Sequence, residues 1–69
     1  QYDKAIELFE AYSRLNPTSG SGEYGIAQCY ASYQMNDIDK AVDYFQYALS
    51  KNLNDTQKEY AVTYINKHN

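Results

Sequence analysis

The segment YDKAIELFEAY, residues 2–12, returns in altered form as IDKAVDYFQYA, residues 38–48. Both copies contain the triplet Asp-Lys-Ala, and Phe9 is repeated as Phe45 at a spacing of 36 residues. Self-similarity at a period of roughly 20–50 residues is the sequence signature of repeat proteins. The repetition therefore predicts a fold made of related helical units.

The spacing of apolar residues predicts four helices and no strand. In both repeated segments, apolar side chains recur every three or four residues and form a stripe wide enough to bury. The first helix stops at Asn16, because a residue before proline disfavours the α conformation. The predicted helices cover about residues 2–15, 23–35 and 37–51, and a fourth starts near residue 54 and fades at residues 67–69. The fold class is therefore all-α.

Polar residues mark the helix boundaries. The hydroxyl groups of residues 18–22 offer caps for the second helix. Asn36 follows that helix and tolerates the left-handed conformation that ends helices. The fourth helix begins with a capping signal, either Asn54 with Gln57 or Thr56 with Glu59, and the sequence leaves both open.

Composition and charge limit the possible functions. The 69 residues have a net charge of −3, and their six Lys and Arg do not form a cluster. Such a distribution provides no stripe for binding phosphates, and we expect no nucleic-acid partner. No apolar run approaches the ~18 residues of a membrane span, so we also expect no direct membrane insertion. Nothing in the sequence indicates a compartment.

Residue types that serve catalysis or metal binding are present but are not arranged as a site. Cys29 has no neighbouring His or cation to activate its thiol, and His68 has no second ligand nearby. The carboxylates Asp37, Asp39 and Asp43 suit helix capping and a solvated helix face. We therefore predict a protein that is not an enzyme and uses neither a cofactor nor a metal ion.

The second and fourth helices have an echo of their own, in which Ile26-Ala27-x-x-Tyr30 aligns with Tyr60-Ala61-x-x-Tyr64. Together with the repeated segments, this echo indicates alternating halves of a helix-turn-helix unit. The small alanines allow close helix approach, and large aromatic side chains fill the adjoining holes.

This arrangement resembles the tetratricopeptide repeat (TPR) family. In that family the first helix of a repeat carries Leu-Gly/Ala-x-x-Tyr, which the echo resembles, and the second carries Tyr-x-x-Ala-x-x-x-Phe-x-x-Ala. The second pattern is matched by Tyr2, Ala5 and Phe9 and again by Ile38, Ala41, Phe45 and Ala48. Two departures are Tyr12, which stands where Ala is usual, and a unit two residues longer than the family's ~34.

The resemblance implies a TPR-like α-solenoid of antiparallel helices in the order second, first, second, first (B-A-B-A). Residues 1–17 would be the second helix of a truncated repeat, and residues 18–53 a complete repeat. Residues 54–69 would be the first or capping helix of the next repeat. Residues 1–69 would then form a single domain.

The resemblance also implies a function. TPR proteins bind partners on a concave surface that the first helices of successive repeats line. The chain would thus be a non-catalytic protein–protein interaction scaffold that binds a peptide or helix of a partner protein. The implied groove residues are Ser21, Tyr24, Gln28, Ala31 and Ser32 on the second helix and Asp55, Lys58, Val62, Ile65 and Asn66 on the fourth.

Self-assembly is the alternative function. Repeat units bury their cores only against neighbours, and the first helix carries apolar residues without a partner helix of its own. The partner would be further repeats or another copy of the chain. The predicted assembly face consists of Tyr2, Ile6, Leu8 and Phe9.

Of the nine tyrosines, Tyr24 is an implied groove residue, and the other eight divide into two groups by position. The first group stands at repeat-core positions, where packing is expected. The second lies toward the edges of the apolar stripes, and we expect at least one member to be exposed, since tyrosine is favoured at interfaces. Core positions hold Tyr2, Tyr12, Tyr30, Tyr60 and Tyr64, and edge positions hold Tyr33, Tyr44 and Tyr47.

Overall fold

Four helices make up the fold in the computed structural model, which describes residues 1–68 and contains no strand among them. They are α1 (Tyr2–Leu15), α2 (Ser21–Ala31), α3 (Ile38–Leu49) and α4 (Asp55–Lys67). Helix α2 packs against both α1 and α3, and α3 packs against α4. The all-α prediction is confirmed. Asn69, the last residue of the predicted segment 54–69, lies outside the described residues.

Helix α2 ends at Ala31, well before its predicted end near residue 35. The next residue, Ser32, has an extended backbone, with φ −62° and ψ 155°. Its hydroxyl accepts a hydrogen bond from the Met35 amide at 3.3 Å, and Asn36 adopts the left-handed conformation with φ 46°. Short polar side chains compete in this way with helical hydrogen bonds. The prediction for Asn36 is thus correct, but residues 32–35 form a turn.

The starts of α2 and α4 are capped differently. Asn54 accepts from the Gln57 amide at 2.8 Å, and the Gln57 side chain accepts from the Asn54 amide at 3.1 Å. This reciprocal pair is a capping box and decides between the two predicted alternatives. At α2 the N-cap is Gly20, which has no side chain, and the Ser19 hydroxyl accepts from the Ser21 amide at 3.2 Å.

Phe45 is the centre of the core, with no exposed surface. Its ring centroid lies 5.7 Å from that of Tyr24 on α2 and 5.8 and 4.9 Å from those of Tyr60 and Tyr64 on α4. Burying a phenylalanine side chain contributes about 1.5–3 kcal/mol. Helices α2, α3 and α4 therefore share one aromatic core. Its smaller fully buried members are Ala27, Ala41 and Ala61.

Two glycines let α1 approach α2 closely. A Cβ atom on Gly25 would lie 2.5 Å from the Phe9 ring, and one on Gly22 would lie 2.8 Å from the Phe9 carbonyl oxygen. The fit is tight on this side of α1, yet none of its residues is fully buried. Helix α1 is therefore covered on one side only.

Backbone hydrogen bonds join the two connections at one end of the helices. The Gly20 amide donates to the Asn52 carbonyl at 2.8 Å, and the Asn52 amide donates to the Thr18 carbonyl at 3.0 Å. This short parallel bridge holds the start of α2 next to the end of α3. The two helices therefore run antiparallel.

The tyrosines follow the predicted division only in part. Tyr12 and Tyr60, predicted to lie in the core, are 43% and 48% exposed, because the outer sides of α1 and α4 are uncovered. Of the edge group, Tyr44 packs against the core, whereas Tyr33 and Tyr47 are exposed. The expectation of at least one exposed edge tyrosine is confirmed.

Candidate protein-binding surfaces

Most of the predicted groove residues lie at the surface of α2 and α4. The structure buries Ile65 in the hydrophobic core, and this side chain is not available to a partner. The half-buried residues are Ser21, Tyr24, Ala31 and Ser32, and the exposed ones are Gln28, Asp55, Lys58, Val62 and Asn66. Apart from Val62, the exposed residues of this set are polar.

The register between α2 and α4 differs from the echo seen in the sequence. Gly25 of α2 packs against Phe9 of the preceding helix, and Ala61 of α4 lies in the core with Phe45 of its preceding helix. Ala27 belongs instead to the core that α2 shares with the helix following it. Gly25 and Ala61 are therefore equivalent, and a spacing of 36 residues relates both pairs of helices.

This register identifies two residues that the sequence reasoning did not include in the groove. Tyr60 and Tyr64 occupy on α4 the places that Tyr24 and Gln28 occupy on α2. The Tyr24 and Tyr60 rings meet edge to face, with centroids 6.1 Å apart, where the two helices come together. The 36-residue spacing between Phe9 and Phe45, applied to Tyr24 and Gln28, predicts Tyr60 and Tyr64.

The outer face of α1 is apolar and uncovered. Leu8 is 71% exposed and Leu15 is 81% exposed, and Tyr12 lies between them on the same side of the helix. Of the predicted assembly face, Leu8 is fully at the surface, whereas Tyr2, Ile6 and Phe9 are half-buried. Sequence reasoning missed Tyr12 and Leu15, which extend the face toward the end of α1.

A cavity adjoins this face. Its volume is about 380 Å³, and it is lined by Phe9, Tyr12 and Ser21. Two of the three residues are aromatic, and exposed apolar surface of this kind is typical of protein interaction sites. The α1 face therefore combines protruding leucines with an aromatic recess.

Helix α4 also has an uncovered side. A cavity of about 140 Å³ lies there, lined by Tyr60, Thr63, Tyr64 and Lys67. Thr63 and Lys67 are exposed, whereas Tyr64 is half-buried against the Phe45 ring. The two ends of the helix array thus each present an open face.

A buried carboxylate connects α1, α2 and the residue after the α3 C-cap. Glu23 is only 3% exposed, its Oε2 lies 2.8 Å from Lys51 Nζ, and the Ser13 hydroxyl donates to the same oxygen. Burial alone would raise the pKa of Glu23, but the hydrogen bonds from Lys51 and Ser13 hold it below its ordinary value. The hydrogen bond to Glu23 in turn raises the pKa of Lys51.

This ion pair adjoins a cavity of about 340 Å³. Glu23 Oε1 is buried and has no hydrogen-bond partner among residues 1–68. Sequence reasoning missed this cluster, because an acid in the first turn of a helix usually lies at the surface and interacts with the helix dipole. The lining residues are Glu10, Ser13, Arg14, Glu23, Ile26, Tyr44 and Tyr47.

The candidates for catalytic or metal chemistry are not brought together. Cys29 is buried, and burial raises the pKa of its thiol, which disfavours the reactive thiolate. His68 is exposed, and its ring packs 4.4 Å from the Tyr64 ring. Within residues 1–68, no group of three or more His, Cys, Asp and Glu side chains converges as a metal site would require.

Comparisons with family models, curated proteins and solved structures return no match for this chain. Its helices, as far as residue 68, are too short or too polar to cross a membrane.

Proposed function

We propose that this chain is a non-catalytic protein–protein interaction scaffold with TPR-like repeats in the order B-A-B-A. The repeated packing of its helices supports this proposal: Phe9 of α1 meets Gly25 of α2, and Phe45 of α3 meets α4 around Ala61, 36 residues further on. Units that repeat in this way place equivalent helices side by side and create extended surfaces for partners.

The proposed binding surface runs across α2 and α4. Gln28 and Tyr60 are exposed there, with the half-buried Tyr24 and Tyr64 beside them, and together they supply amide, hydroxyl and aromatic groups. The implied groove residues Lys58, Val62 and Asn66 correspond at a spacing of 36 to Gly22, Ile26 and Tyr30 of α2, whose neighbours are α1 and α3, and therefore lie on another side of α4. The edge-to-face contact between the rings of Tyr24 and Tyr60 lies where the two helices meet. Such mixed chemistry suits an extended peptide or a partner helix, which binds through a few anchors and several hydrogen bonds.

Selection of random peptides against the immobilised chain, followed by fluorescence anisotropy, tests this function. We expect recovered peptides to bind the Gln28→Ala/Tyr60→Ala variant ~10-fold more weakly, because each lost contact removes roughly 0.5–1.5 kcal/mol. The matched control is Tyr33→Ser, an exposed position in the α2–α3 connection. Recovery of no peptide, or equal affinity for the Gln28→Ala/Tyr60→Ala variant, would refute the proposed surface.

Self-assembly is a second proposed function, favoured by the uncovered face of α1. Leu8 and Leu15 project from it, and the cavity of Phe9 and Tyr12 lies beside them. Covering exposed leucines contributes roughly 25 cal/mol per Å² of apolar area removed from water. Sedimentation at increasing concentration should show association of the chain, and Leu8→Glu should abolish it.

A further inference from the structure

Helix α3 is the repeat counterpart of α1, and its contacts with α2 show what kind of surface covers such a helix. Three of its residues contact α2: Tyr44 stacks on Tyr30 at 5.7 Å, and Phe45 meets Tyr24 at 5.7 Å. The Ala48 carbonyl oxygen lies 2.5 Å from the place of a Cβ on Gly20. At a spacing of 36 residues, the counterparts of these three residues on α1 are Leu8, Phe9 and Tyr12. The uncovered α1 face is thus the face that α3 buries against α2.

Helix α4 carries the counterpart of the α2 surface. The α2 residues packed toward α3 include Tyr24, Ala27 and Tyr30, and they correspond at the same spacing to Tyr60, Thr63 and Asn66. Tyr60 and Thr63 line the cavity on the uncovered side of α4. The chain therefore presents an α3-like face at one end and an α2-like face at the other.

We propose that a second copy of this chain covers these faces, with α4 of one copy packing head to tail against α1 of the next. This inference rests on the proposed assembly function and names its partner surface. Tyr60 of one copy would meet Phe9 of the other, as Tyr24 meets Phe45 within the chain. The cavity of about 380 Å³ beside Phe9 and Tyr12 receives the tyrosine ring.

The α2–α3 pair also sets the orientation of the proposed contact. These two helices run antiparallel, so the corresponding arrangement sets the end of α4 against the start of α1. Lys40 Nζ of α3 lies 5.3 Å from the centroid of the Tyr30 ring of α2, and the counterparts of these two residues are Lys4 and Asn66. Lys4 of one copy would therefore meet Asn66 of the other.

The symmetry of such a contact predicts how assembly grows. The two surfaces differ, so the contact is heterologous, and the α1 and α4 faces at the two ends of an oligomer remain free. The average size of the oligomers therefore keeps increasing as the protein concentration rises. A contact between two α1 faces would instead be isologous and would stop at a dimer.

Two variants that each block one face test the proposal by analytical ultracentrifugation. Leu8→Glu blocks α1, and Thr63→Glu blocks α4 at an exposed residue that is not part of the core. Circular dichroism establishes that both are folded, and Tyr33→Ser serves as the matched surface control. The wild type and the control should form oligomers of increasing size, and each blocked variant alone should be a monomer.

The mixture of the two blocked variants is the decisive sample. It should form a 1:1 dimer and nothing larger, because one intact α4 face meets one intact α1 face. If Thr63→Glu still dimerises while Leu8→Glu does not, α1 pairs with itself, which overturns this inference and leaves the assembly function standing. If the wild type is monomeric at all concentrations, both proposals are wrong.

Discussion

Lys51 Nζ lies 2.8 Å from Oε2 of Glu23, and this contact ties the segment after α3 to the first turn of α2. The Ser13 hydroxyl of α1 donates to the same oxygen, so one carboxylate connects three parts of the chain. Glu23 is almost fully buried, whereas Lys51 remains partly accessible. A buried charge is tolerated only when it is paired and hydrogen-bonded, and its partners therefore fix how the helices are set against each other.

Glu23→Gln should lower the free energy of unfolding at neutral pH by about 1 kcal/mol, because the amide keeps the shape but loses the charge-assisted hydrogen bonds. Urea denaturation measures the change. The matched control is Glu10→Gln, which lines the same cavity but is exposed. That variant should stay within about 0.5 kcal/mol of the wild type. Equal losses in the two variants would contradict a special role for Glu23.

Stability should depend on pH through the same pair. The pKa of Glu23 lies below its ordinary value of 4.5, because the hydrogen bonds from Lys51 and Ser13 outweigh the effect of burial. Its contribution is present above pH 4.5 and is lost as the pH falls through the folded-state pKa. The pKa of Lys51 lies above 10.5, so its contribution is present below pH 10.5 and is lost as the pH rises through its folded-state value.

Denaturant titrations of the wild type and Glu23→Gln across the acid range measure this dependence. The difference in the free energy of unfolding should be constant near neutral pH and should narrow below pH 4.5. A difference that stays the same after Glu23 is protonated would show that the charge contributes nothing.

The helices that depend on local signals were predictable, and those that depend on tertiary contacts were not. Asn16 before proline fixes the end of α1, and that helix has the predicted bounds. Residues 32–35 continue an acceptable helical sequence, but the Ser32 hydroxyl and the left-handed Asn36 select a turn. Periodicity contains no information about such a choice between competing hydrogen bonds.

The candidate surfaces were predictable only where they follow the repeat. Leu8 is on the predicted face because its apolar character and lack of a partner are visible in the sequence. Glu23 is buried because Gly22 and Gly25 let α1 approach α2 closely. The distance between two helices cannot be predicted from the sequence pattern of one of them. The register of α4 was missed because Ala61 aligns with Ala27 in sequence but with Gly25 in space.

Gly25→Ala should destabilise the fold because its Cβ would lie 2.5 Å from the Phe9 ring. Overpacking of this kind costs about 1–3 kcal/mol, offset by up to ~1 kcal/mol from better helix propensity. In a Phe9→Ala background the ring is gone, and the same substitution should become stabilising by up to ~1 kcal/mol. Thermal and urea denaturation of the four chains give this double-mutant cycle.

The sign change is the informative part of that cycle. Gln46→Ala at an exposed position of α3 is the matched control and should have nearly the same effect in both backgrounds, within about 0.5 kcal/mol. If Gly25→Ala is equally destabilising with and without the Phe9 ring, the close contact between α1 and α2 does not exist as described.

Phe45 and Phe9 are equivalent in the repeat but differ in what covers them, so their substitutions should differ in cost. Phe45 is fully buried between α2 and α4, and Phe45→Ala should cost about 3–5 kcal/mol. That cost is a large part of the total free energy of unfolding, which typically amounts to ~0.05–0.15 kcal/mol for each residue of a domain. The milder substitution Phe45→Leu keeps the comparison measurable. Phe9→Leu, at a half-buried position, should cost clearly less at low protein concentration.

The same comparison at high concentration links stability to assembly. If a second copy covers the α1 face, binding stabilises the folded chain by mass action, and the cost of Phe9→Leu should rise with concentration. The cost of Phe45→Leu should stay constant, because that ring is covered within the chain. A concentration-independent cost at both positions would mean that nothing packs on α1, even though Leu8 and Leu15 are exposed there.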